Sequence, residues 1–336
     1  MGDSVRVLLT KPYFPEDIVH LRAHLLENVS IVSPQAFTDA AMADAVKDDI
    51  HVLFGPYVSE AVLNNGRSLR LIQVPWAGVD VVDFELLRRY NIPVCNSHSN
   101  ADVVAEYTVA LMLAIAKKIP FHDQRLRQGK WCRPKRGDGV FMPPVMISGK
   151  TIGFVGYGEI AQAIAKMLSG FSVKLIAAAR RDRADTPPPL AFLGGSDDME
   201  FVVSESDFLF ITLPLTDATR GLFNEHLLAS MKPSAYLINI SRGEVVDEDA
   251  LYAVLKEKRI AGAAIDTWYN YPKLDSPDVL PSTKNQFHML DNLVLSPHRA
   301  GFAEGRLPHL DGAIENINCL ATGRPLINIV DVEVGY

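Results

Sequence analysis

The sequence predicts an α/β protein with two parallel β-sheets, each covered by helices on both faces. Short apolar strands alternate with helical patterns along nearly the whole chain, and a second such series begins at Thr151. A glycine-rich turn joins the first strand and helix of that second series. Since 336 residues exceed the usual size of one hydrophobic core, we expect two domains.

Five strands are predicted in the first hundred residues. Their sequences are SVRVLLT, VSIVS, HVLFG, LRLIQV and IPVCN. Between the first two, Ile18, Leu21 and Leu25 recur at helical spacing, which predicts an amphipathic helix. The apolar run at 101–118 is interrupted by Glu106 and ends in two lysines, so it predicts a largely buried helix rather than a membrane span.

The second series contains six predicted strands. They are TIGFVG, SVKLIAAA, DFLFITL, AYLINI, AGAAI and NLVLSPH. An irregular stretch at 127–150 precedes them. The segment ADTPPPLAFLGG, at 184–195, is predicted to be a loop because it is rich in proline and glycine.

Composition excludes several classes of protein. A net charge of −7 argues against general binding to nucleic acid or anionic membranes. The first residues lack the long apolar core of a signal peptide and instead resemble a strand. Cys95, Cys132 and Cys319 lie far apart, which predicts neither a metal site nor a disulfide framework and fits a reducing cytoplasm.

The turn after the TIGFV strand predicts a dinucleotide site of the Rossmann type. Gly156 permits a tight turn, Gly158 allows the backbone to approach a pyrophosphate, and Ala161 is small enough for close packing of helix and strand. The N-terminus of the following helix offers unpaired N–H groups to the phosphates.

The end of the next strand favours NADP over NAD. An NAD site usually places Asp or Glu about 20 residues after the glycines. Here Ala179 occupies that position and is followed by Arg180, Arg181 and Arg183, which suit a 2′-phosphate. The alternative is that Asp182 binds the ribose of NAD after a small shift in register.

Two longer motifs resemble the D-isomer-specific 2-hydroxyacid dehydrogenases, which include phosphoglycerate, glyoxylate/hydroxypyruvate and D-lactate enzymes. These motifs are LINISRGEVVDEDAL at 237–251 and NLVLSPHRAG at 292–301. The segments WAGVD, NADVVAEYTVALMLA, QGKW and LPLTDATRGLFN also follow in the order of that family. The resemblance therefore covers nearly the whole chain.

The resemblance implies an architecture and an activity. A Rossmann nucleotide domain at 101–299 would be inserted into a flavodoxin-like substrate domain formed by 1–100 and 300–336. The protein would be a cytoplasmic homodimer that transfers a hydride between NADP, or NAD, and a small 2-oxo or 2-hydroxy acid. No metal, nucleic acid or membrane partner is expected.

Arg242 and His298 are the catalytic residues that the resemblance implies. A planar guanidinium can bind the substrate carboxylate and polarise the neighbouring carbonyl. Hydride addition to a ketone leaves an alkoxide, so a proton donor near neutral pH is required, and the imidazole of His298 suits that role.

The resemblance also assigns binding residues. The backbone amides around Ala77 and Gly78 would bind the substrate carboxylate, with Asn100 nearby and Trp76 either as a wall of the pocket or as ordinary packing. The expected cofactor contacts are Gly156, Tyr157, Gly158, Glu159, Ile160, Arg180, Arg181, Leu213, Pro214, Thr219, Ile240, Ser241, Asp266, Ala300 and Gly301.

The chain departs from the family at one catalytic position. Relatives carry a Glu before the Pro that follows the AGAAxD strand, and it pairs with the catalytic His. Here Tyr271 stands before Pro272. A neutral phenol should raise the pKa of His298 less than a carboxylate would. The alternatives are a water molecule or a carboxylate such as Asp275 or Asp278.

This substitution keeps two other functions open. One is a nucleotide-sensing protein without turnover, although the presence of Arg242 and His298 counts against it. The other is a dehydrogenase of an unusual substrate such as formate, phosphite or a phosphonate.

Overall fold

The structure is a computed structural model that describes residues 4–133, 135, 139–140, 142–180, 185–273, 276–305 and 307–336. Contacts between Cα atoms divide the chain into two compact units. Unit 1 comprises residues 1–100 and 302–336, and unit 2 comprises residues 101–301. The assignment of substrate to the first unit stays a prediction.

Unit 1 contains a five-stranded parallel sheet. Its strands are β1 (Val5–Leu9), β2 (Val29–Val32), β3 (Val52–Phe54), β4 (Leu71–Gln73) and β5 (Val94–Cys95). They lie in the order β2-β1-β3-β4-β5, and each neighbouring pair is parallel. This is the flavodoxin-like order, in which the direction of winding reverses between β1 and β3.

Unit 2 contains a seven-stranded parallel sheet. Its strands are β6 (Thr151–Val155), β7 (Lys174–Ala178), β8 (Phe192–Gly194), β9 (Phe208–Ile211), β10 (Tyr236–Asn239), β11 (Gly262–Ile265) and β12 (Leu293–Leu295). The spatial order is β12-β11-β10-β9-β6-β7-β8. Winding reverses between β6 and β9, as in Rossmann domains, so the glycine turn after β6 lies at the point where such sheets bind dinucleotides.

Helices alternate with these strands. Those of the first hundred residues are α1 (Pro15–His24), α2 (Asp39–Ala45), α3 (Glu60–Asn65) and α4 (Phe84–Leu87). Unit 2 contains α5 (Ala101–Lys117), α6 (Ile119–Leu126), α7 (Glu159–Leu168), α8 (Met199–Glu205), α9 (Glu225–Ala229) and α10 (Glu248–Lys256). The chain returns to unit 1 with α11 (Pro308–Thr322). The predicted α/β class with two parallel sheets is confirmed.

The prediction of a loop at 184–195 is wrong in its last residues, because Phe192–Gly194 form β8. Ile176, Ala177 and Ala178 of β7 pair in parallel with them. The backbone N–H of Ala179 also donates to the Gly194 oxygen at 3.0 Å. Three residues after a proline run are too few to show a period of two, so this edge strand depends on pairing that sequence alone does not reveal.

The apolar run at 101–118 forms α5 with several of its residues buried, including Ala105, Thr108 and Met112. Neither α5 nor any other helix in the described ranges has the length and apolar character needed to cross a membrane.

Candidate active site

The glycine turn after β6 has the geometry that a bound pyrophosphate requires. Gly156 has φ +91°, and a Cβ there would lie 2.8 Å from the Thr212 backbone oxygen, so both conformation and space require glycine. A Cβ on Gly158, the N-cap of α7, would meet no atom within 4 Å, so its backbone is open to close approach. The residues present therefore fit a dinucleotide at the N-terminus of α7.

Neighbouring residues of this motif have different roles. The Tyr157 side chain is buried and packs against Phe154 with 6.0 Å between ring centroids. Glu159 and Ile160 form the first turn of α7, and the fully buried Ala161 allows that helix to approach the sheet.

Ala179 follows the end of β7, and Arg180 beside it is exposed. Arg181, which the sequence predicts to contact the cofactor, lies outside the described residues, as do Asp182 and Arg183.

The turn after β9 is organised by its own hydroxyl groups. Thr219 Oγ1 accepts the N–H of Thr216 at 2.8 Å and donates to the Pro214 oxygen at 2.7 Å. Leu213 is partly buried in the same turn. Since β9 adjoins β6, this turn lies at the same edge of the sheet as the phosphate-binding glycines.

Arg242 leaves the carboxyl end of β10 through a turn that Asn239 stabilises. The Asn239 side chain donates to the Arg242 backbone oxygen at 3.0 Å and accepts from both the N–H and the hydroxyl of Ser241, each at 3.0 Å. Arg242 Nη1 donates to the Ser241 oxygen at 2.8 Å. Ile240 and Ser241 are buried, so the partly exposed guanidinium projects from a rigid base.

Gly243 brings the Arg242 turn against the loop after β11. A Cβ at this position would lie 2.5 Å from the Trp268 backbone oxygen. Any side chain would therefore separate the two loops, which explains the glycine of the SRG motif.

Asp266 fixes the turn that carries His298. It is fully buried, its Oδ1 accepts the Arg299 N–H at 2.8 Å, and its Oδ2 accepts the Ala300 N–H at 3.0 Å. The Ser296 hydroxyl donates to the same Oδ1. Charge-assisted hydrogen bonds of this kind are roughly twice as strong as neutral ones, so the turn from Ser296 to Ala300, which Gly301 follows, is held firmly to β11.

His298 itself adopts the left-handed conformation, with φ +56°. A residue other than glycine in this region indicates a local constraint, which often accompanies functional sites. The imidazole is exposed and follows the carboxyl end of β12.

Tyr271 joins these two catalytic candidates. Its ring centroid lies 5.6 Å from that of His298, and its hydroxyl accepts the Trp268 N–H at 3.0 Å. Burial raises the pKa of Tyr271, and the positive charge of Arg242 acts on it in the opposite direction. The phenol is therefore neutral near pH 7. The structure thus brings Arg242, Tyr271 and His298 together at the carboxyl ends of β10, β11 and β12.

The two other aromatic residues of the loop are packing residues. Trp268 is buried and its Nε1 donates to the Ser296 oxygen at 2.7 Å. Tyr269 stacks on Phe287 with 6.0 Å between centroids and donates to the Val246 oxygen at 3.0 Å. Asp278 is exposed and forms no hydrogen bond or ion pair with a described residue, whereas Asp275 lies outside the described ranges.

The expected carboxylate site of unit 1 is a turn after β4. Within the described part of the chain, the backbone N–H groups of Ala77 and Gly78 have no acceptor. The Asn96 side chain donates to the Ala77 oxygen at 2.8 Å and holds the turn. Unpaired, partly exposed N–H groups in succession are suited to an anion. The Asn100 Oδ1 atom is buried and has no partner among the described residues.

Sequence reasoning missed the residues that support the His298 turn. The Tyr107 hydroxyl of α5 lies 2.9 Å from the Ser296 hydroxyl, which is bonded to Asp266. Ser296 was part of a recognised motif, but its partner is 189 residues away and no local pattern predicts the contact.

Comparison with known proteins agrees with this geometry. The family model of the D-isomer specific 2-hydroxyacid dehydrogenase, NAD binding domain, matches residues 109–300. The glyoxylate reductase of Thermofilum pendens is 35% identical over 86% of this chain and 82% of that protein. The glyoxylate reductase of Thermococcus litoralis is 31% identical over 98% of this chain and 97% of that protein.

A solved structure shows the same fold. It is the NADPH-dependent glyoxylate/hydroxypyruvate reductase from Sinorhizobium meliloti in complex with NADP and malonate. The TM-score is 0.78, with 25% identity and 98% of each chain covered.

The fold and the glycine turn define a dinucleotide-binding protein of the Rossmann type. The similarity over nearly the whole chain is more specific: the protein belongs to the D-isomer-specific 2-hydroxyacid dehydrogenases. It is therefore an enzyme of NAD(P)-dependent hydroxy acid oxidoreduction.

Proposed function

We propose that this enzyme reduces small 2-oxo acids to 2-hydroxy acids, with Arg242 binding and polarising the substrate and His298 transferring the proton. The observation that carries the proposal is the convergence of Arg242, Tyr271 and His298 at one edge of the second sheet, where the ring centroids of Tyr271 and His298 are 5.6 Å apart. Open α/β sheets bind their ligands at this edge.

His298 donates a proton to the oxygen of the substrate carbonyl during reduction and accepts it in the reverse reaction. Tyr271 orients the ring as a neutral partner, because its hydroxyl already accepts the Trp268 N–H and retains its own proton for donation. When bound, the nicotinamide supplies the hydride that is added to carbon 2.

Arg242 acts on the same carbonyl and on the carboxylate beside it. Its positive charge is fixed by the Asn239 turn before substrate arrives, so little reorganisation is needed as negative charge develops on the oxygen. In unit 1, the N–H groups of Ala77 and Gly78 contribute to binding of the carboxylate, with Asn100 nearby.

The proposed cofactor is NADP, with NAD as the weaker alternative. Support comes from Ala179 at the end of β7, which removes the carboxylate that would repel a 2′-phosphate, and from the exposed Arg180 next to it. A similar protein of Sinorhizobium meliloti is NADPH-dependent.

The proposed assembly is a homodimer built on unit 2. Support comes from a row of large apolar side chains on and after α6, where no residue is buried. Ile119, Leu126 and Trp131 are 55%, 51% and 60% exposed. Large exposed apolar side chains grouped on one segment favour an interface.

The function is tested by following NADPH and NADH oxidation with a panel of 2-oxo acids, including glyoxylate and hydroxypyruvate. We expect turnover with at least one of them, and a higher kcat/KM with NADPH. Arg242→Ala and His298→Ala should each reduce kcat/KM by about a hundredfold or more. Tight NADPH binding without turnover of any 2-oxo acid would contradict the proposal and favour formate, phosphite or a phosphonate as substrate.

A further inference from the structure

Lys11 lies at the switch point of the first sheet and has no part in the proposed hydride transfer. It is the second residue after β1, beside the turn that follows β3. Winding of the sheet reverses between these two strands. The crevice outside the carboxyl ends of strands at such a point is the usual ligand site of this fold.

Two aromatic rings lie beside the Lys11 ammonium. Nζ lies 4.6 Å from the centroid of the Trp76 ring and 5.0 Å from that of Tyr13. In the described part of unit 1, no carboxylate forms a salt bridge with it. Burial lowers the pKa of Lys11, and the Asp17 carboxylate opposes this effect. A partly buried cation without a salt bridge is costly, and an anionic ligand would offset that cost.

Two of the nearby carboxylates accept backbone N–H groups at the starts of helices. Asp17 Oδ2 accepts the Phe14 N–H at 3.1 Å, at the start of α1. Asp83 Oδ1 accepts the Leu86 N–H at 2.9 Å and caps α4. On α11, burial lowers the pKa of His309, so its imidazole is neutral near pH 7 and adds no second positive charge.

A pocket adjoins this lysine. Its volume is about 370 Å³, which suits a small organic acid, and residues from the turns after β1, β3 and β4 line it. Lys11, Tyr57 and Val81 represent these three turns. Asp39 and Asp83 also line the pocket, but the carboxylate that acts on the Lys11 ammonium is that of Asp17.

We propose that Lys11 binds the distal carboxylate of a 2-oxo diacid with four or five carbons and thereby sets the substrate class. The Trp76 ring that contacts Nζ directly precedes Ala77 and Gly78, whose N–H groups are proposed above to bind the first carboxylate. The Lys11 ammonium therefore lies beside the turn that carries those N–H groups. This inference rests on the proposed function, because it names the substrate of the same site.

The test compares substrates of equal length that differ in the distal carboxylate. Oxaloacetate is paired with 2-oxobutanoate, and 2-oxoglutarate with 2-oxopentanoate. Wild type is compared with Lys11→Met, which keeps most of the length of the side chain, and with Lys11→Arg, which keeps its charge. Lys47→Met is the control, because Lys47 is an exposed lysine of unit 1 whose Nζ lies 3.1 Å from Asp44.

We expect wild type to prefer each diacid over its monoacid partner. Lys11→Met should reduce kcat/KM for the diacids by about tenfold to a hundredfold, mainly through KM, with a loss of no more than about threefold for the monoacids. Lys11→Arg should restore most of the preference, and Lys47→Met should leave it unchanged. Equal losses for diacids and monoacids would overturn the inference and leave Lys11 as a residue that packs Trp76 against Tyr13.

Direct binding separates this inference from the proposed function. The holoenzyme with NADP is titrated calorimetrically with D-malate and with D-2-hydroxybutanoate. If Lys11 binds the distal carboxylate, Lys11→Met raises the Kd of D-malate at least tenfold more than that of D-2-hydroxybutanoate, whether or not any 2-oxo acid is reduced. An unchanged Kd for D-malate would contradict the inference even in an active reductase.

Discussion

At the scale of single residues, the proposed mechanism depends on Tyr271, which lies beside His298. The family resemblance implies a carboxylate at this position that stabilises the protonated imidazole. Tyr271 supplies a phenol whose pKa burial raises, so it stays neutral and can orient the ring without adding negative charge. The ring centroids of Tyr271 and His298 are 5.6 Å apart, so the replacement of a carboxylate by a phenol acts directly on the imidazole.

Restoring the carboxylate should therefore shift the pH profile. In Tyr271→Glu, a negative charge beside His298 favours the imidazolium and raises the pKa of His298 by about one unit or more. Since reduction requires the protonated imidazole, the alkaline limb of kcat/KM should move to higher pH by the same amount. An unchanged limb would mean that residue 271 does not contact His298 during catalysis.

The matching test removes the hydroxyl. Tyr271→Phe should lower kcat several-fold, because the ring of His298 loses an orienting partner. Tyr269→Phe is the control, since Tyr269 lies in the same loop but its hydroxyl donates to the Val246 oxygen. Equal kinetics for wild type and Tyr271→Phe would remove Tyr271 from the mechanism.

At the scale of elements, the site depends on three turns at neighbouring strand ends. Asn239 shapes the turn after β10, Asp266 ties the turn after β12 to β11, and Gly243 allows the first of these turns to touch the loop after β11. None of these contacts involves the side chains of Arg242, Tyr271 or His298. Each contact nevertheless fixes a turn or loop that carries one of them.

Gly243→Ala tests this dependence on close approach. The added Cβ would lie 2.5 Å from the Trp268 oxygen, so the Arg242 turn must move away from the loop that carries Tyr271. Displacement of a catalytic group by about 1 Å costs roughly a hundredfold in rate, and we expect a loss of that size in kcat/KM. Gly170→Ala is the control, because a Cβ there meets nothing within 4 Å. Wild-type kinetics for Gly243→Ala would contradict this interpretation.

The elements also show what the sequence could and could not predict. Strands such as β9 and β10 are buried on both faces and read as continuous apolar runs, so they were predicted. β8 was missed because three residues carry no periodicity and pair only with β7. The motifs of the sequence predict roles for Arg242 and His298, whereas the Tyr107–Ser296–Asp266 chain is a tertiary contact that has no local signal.

At the scale of the whole molecule, the chain repeats one architectural rule twice. Each unit has a parallel sheet with a reversal of winding, between β1 and β3 in unit 1 and between β6 and β9 in unit 2. Lys11 follows β1 at the first reversal, and the glycine turn follows β6 at the second. This rule explains why the residues proposed for substrate and cofactor follow strand ends rather than helices.

The proposed homodimer is tested by placing negative charges among the exposed apolar side chains on and after α6. Trp131→Glu combined with Leu126→Glu should convert a sedimenting species of twice the chain mass into one of the chain mass, because buried unpaired carboxylates oppose association. Phe201→Glu is the control, since Phe201 is 47% exposed on α8. A dimer that survives the double substitution would place the interface elsewhere.

The central claim is hydride transfer to carbon 2 of a 2-oxo acid at the Arg242–Tyr271–His298 site. NADPH deuterated at carbon 4 of the nicotinamide tests it most directly, with a 2-oxo acid as acceptor and nuclear magnetic resonance of the product. We predict one deuterium on carbon 2 of a 2-hydroxy acid of the D configuration, and no such product from His298→Ala on the same timescale. Oxidation of the cofactor without deuterium at carbon 2, or an undiminished yield from His298→Ala, would contradict the account.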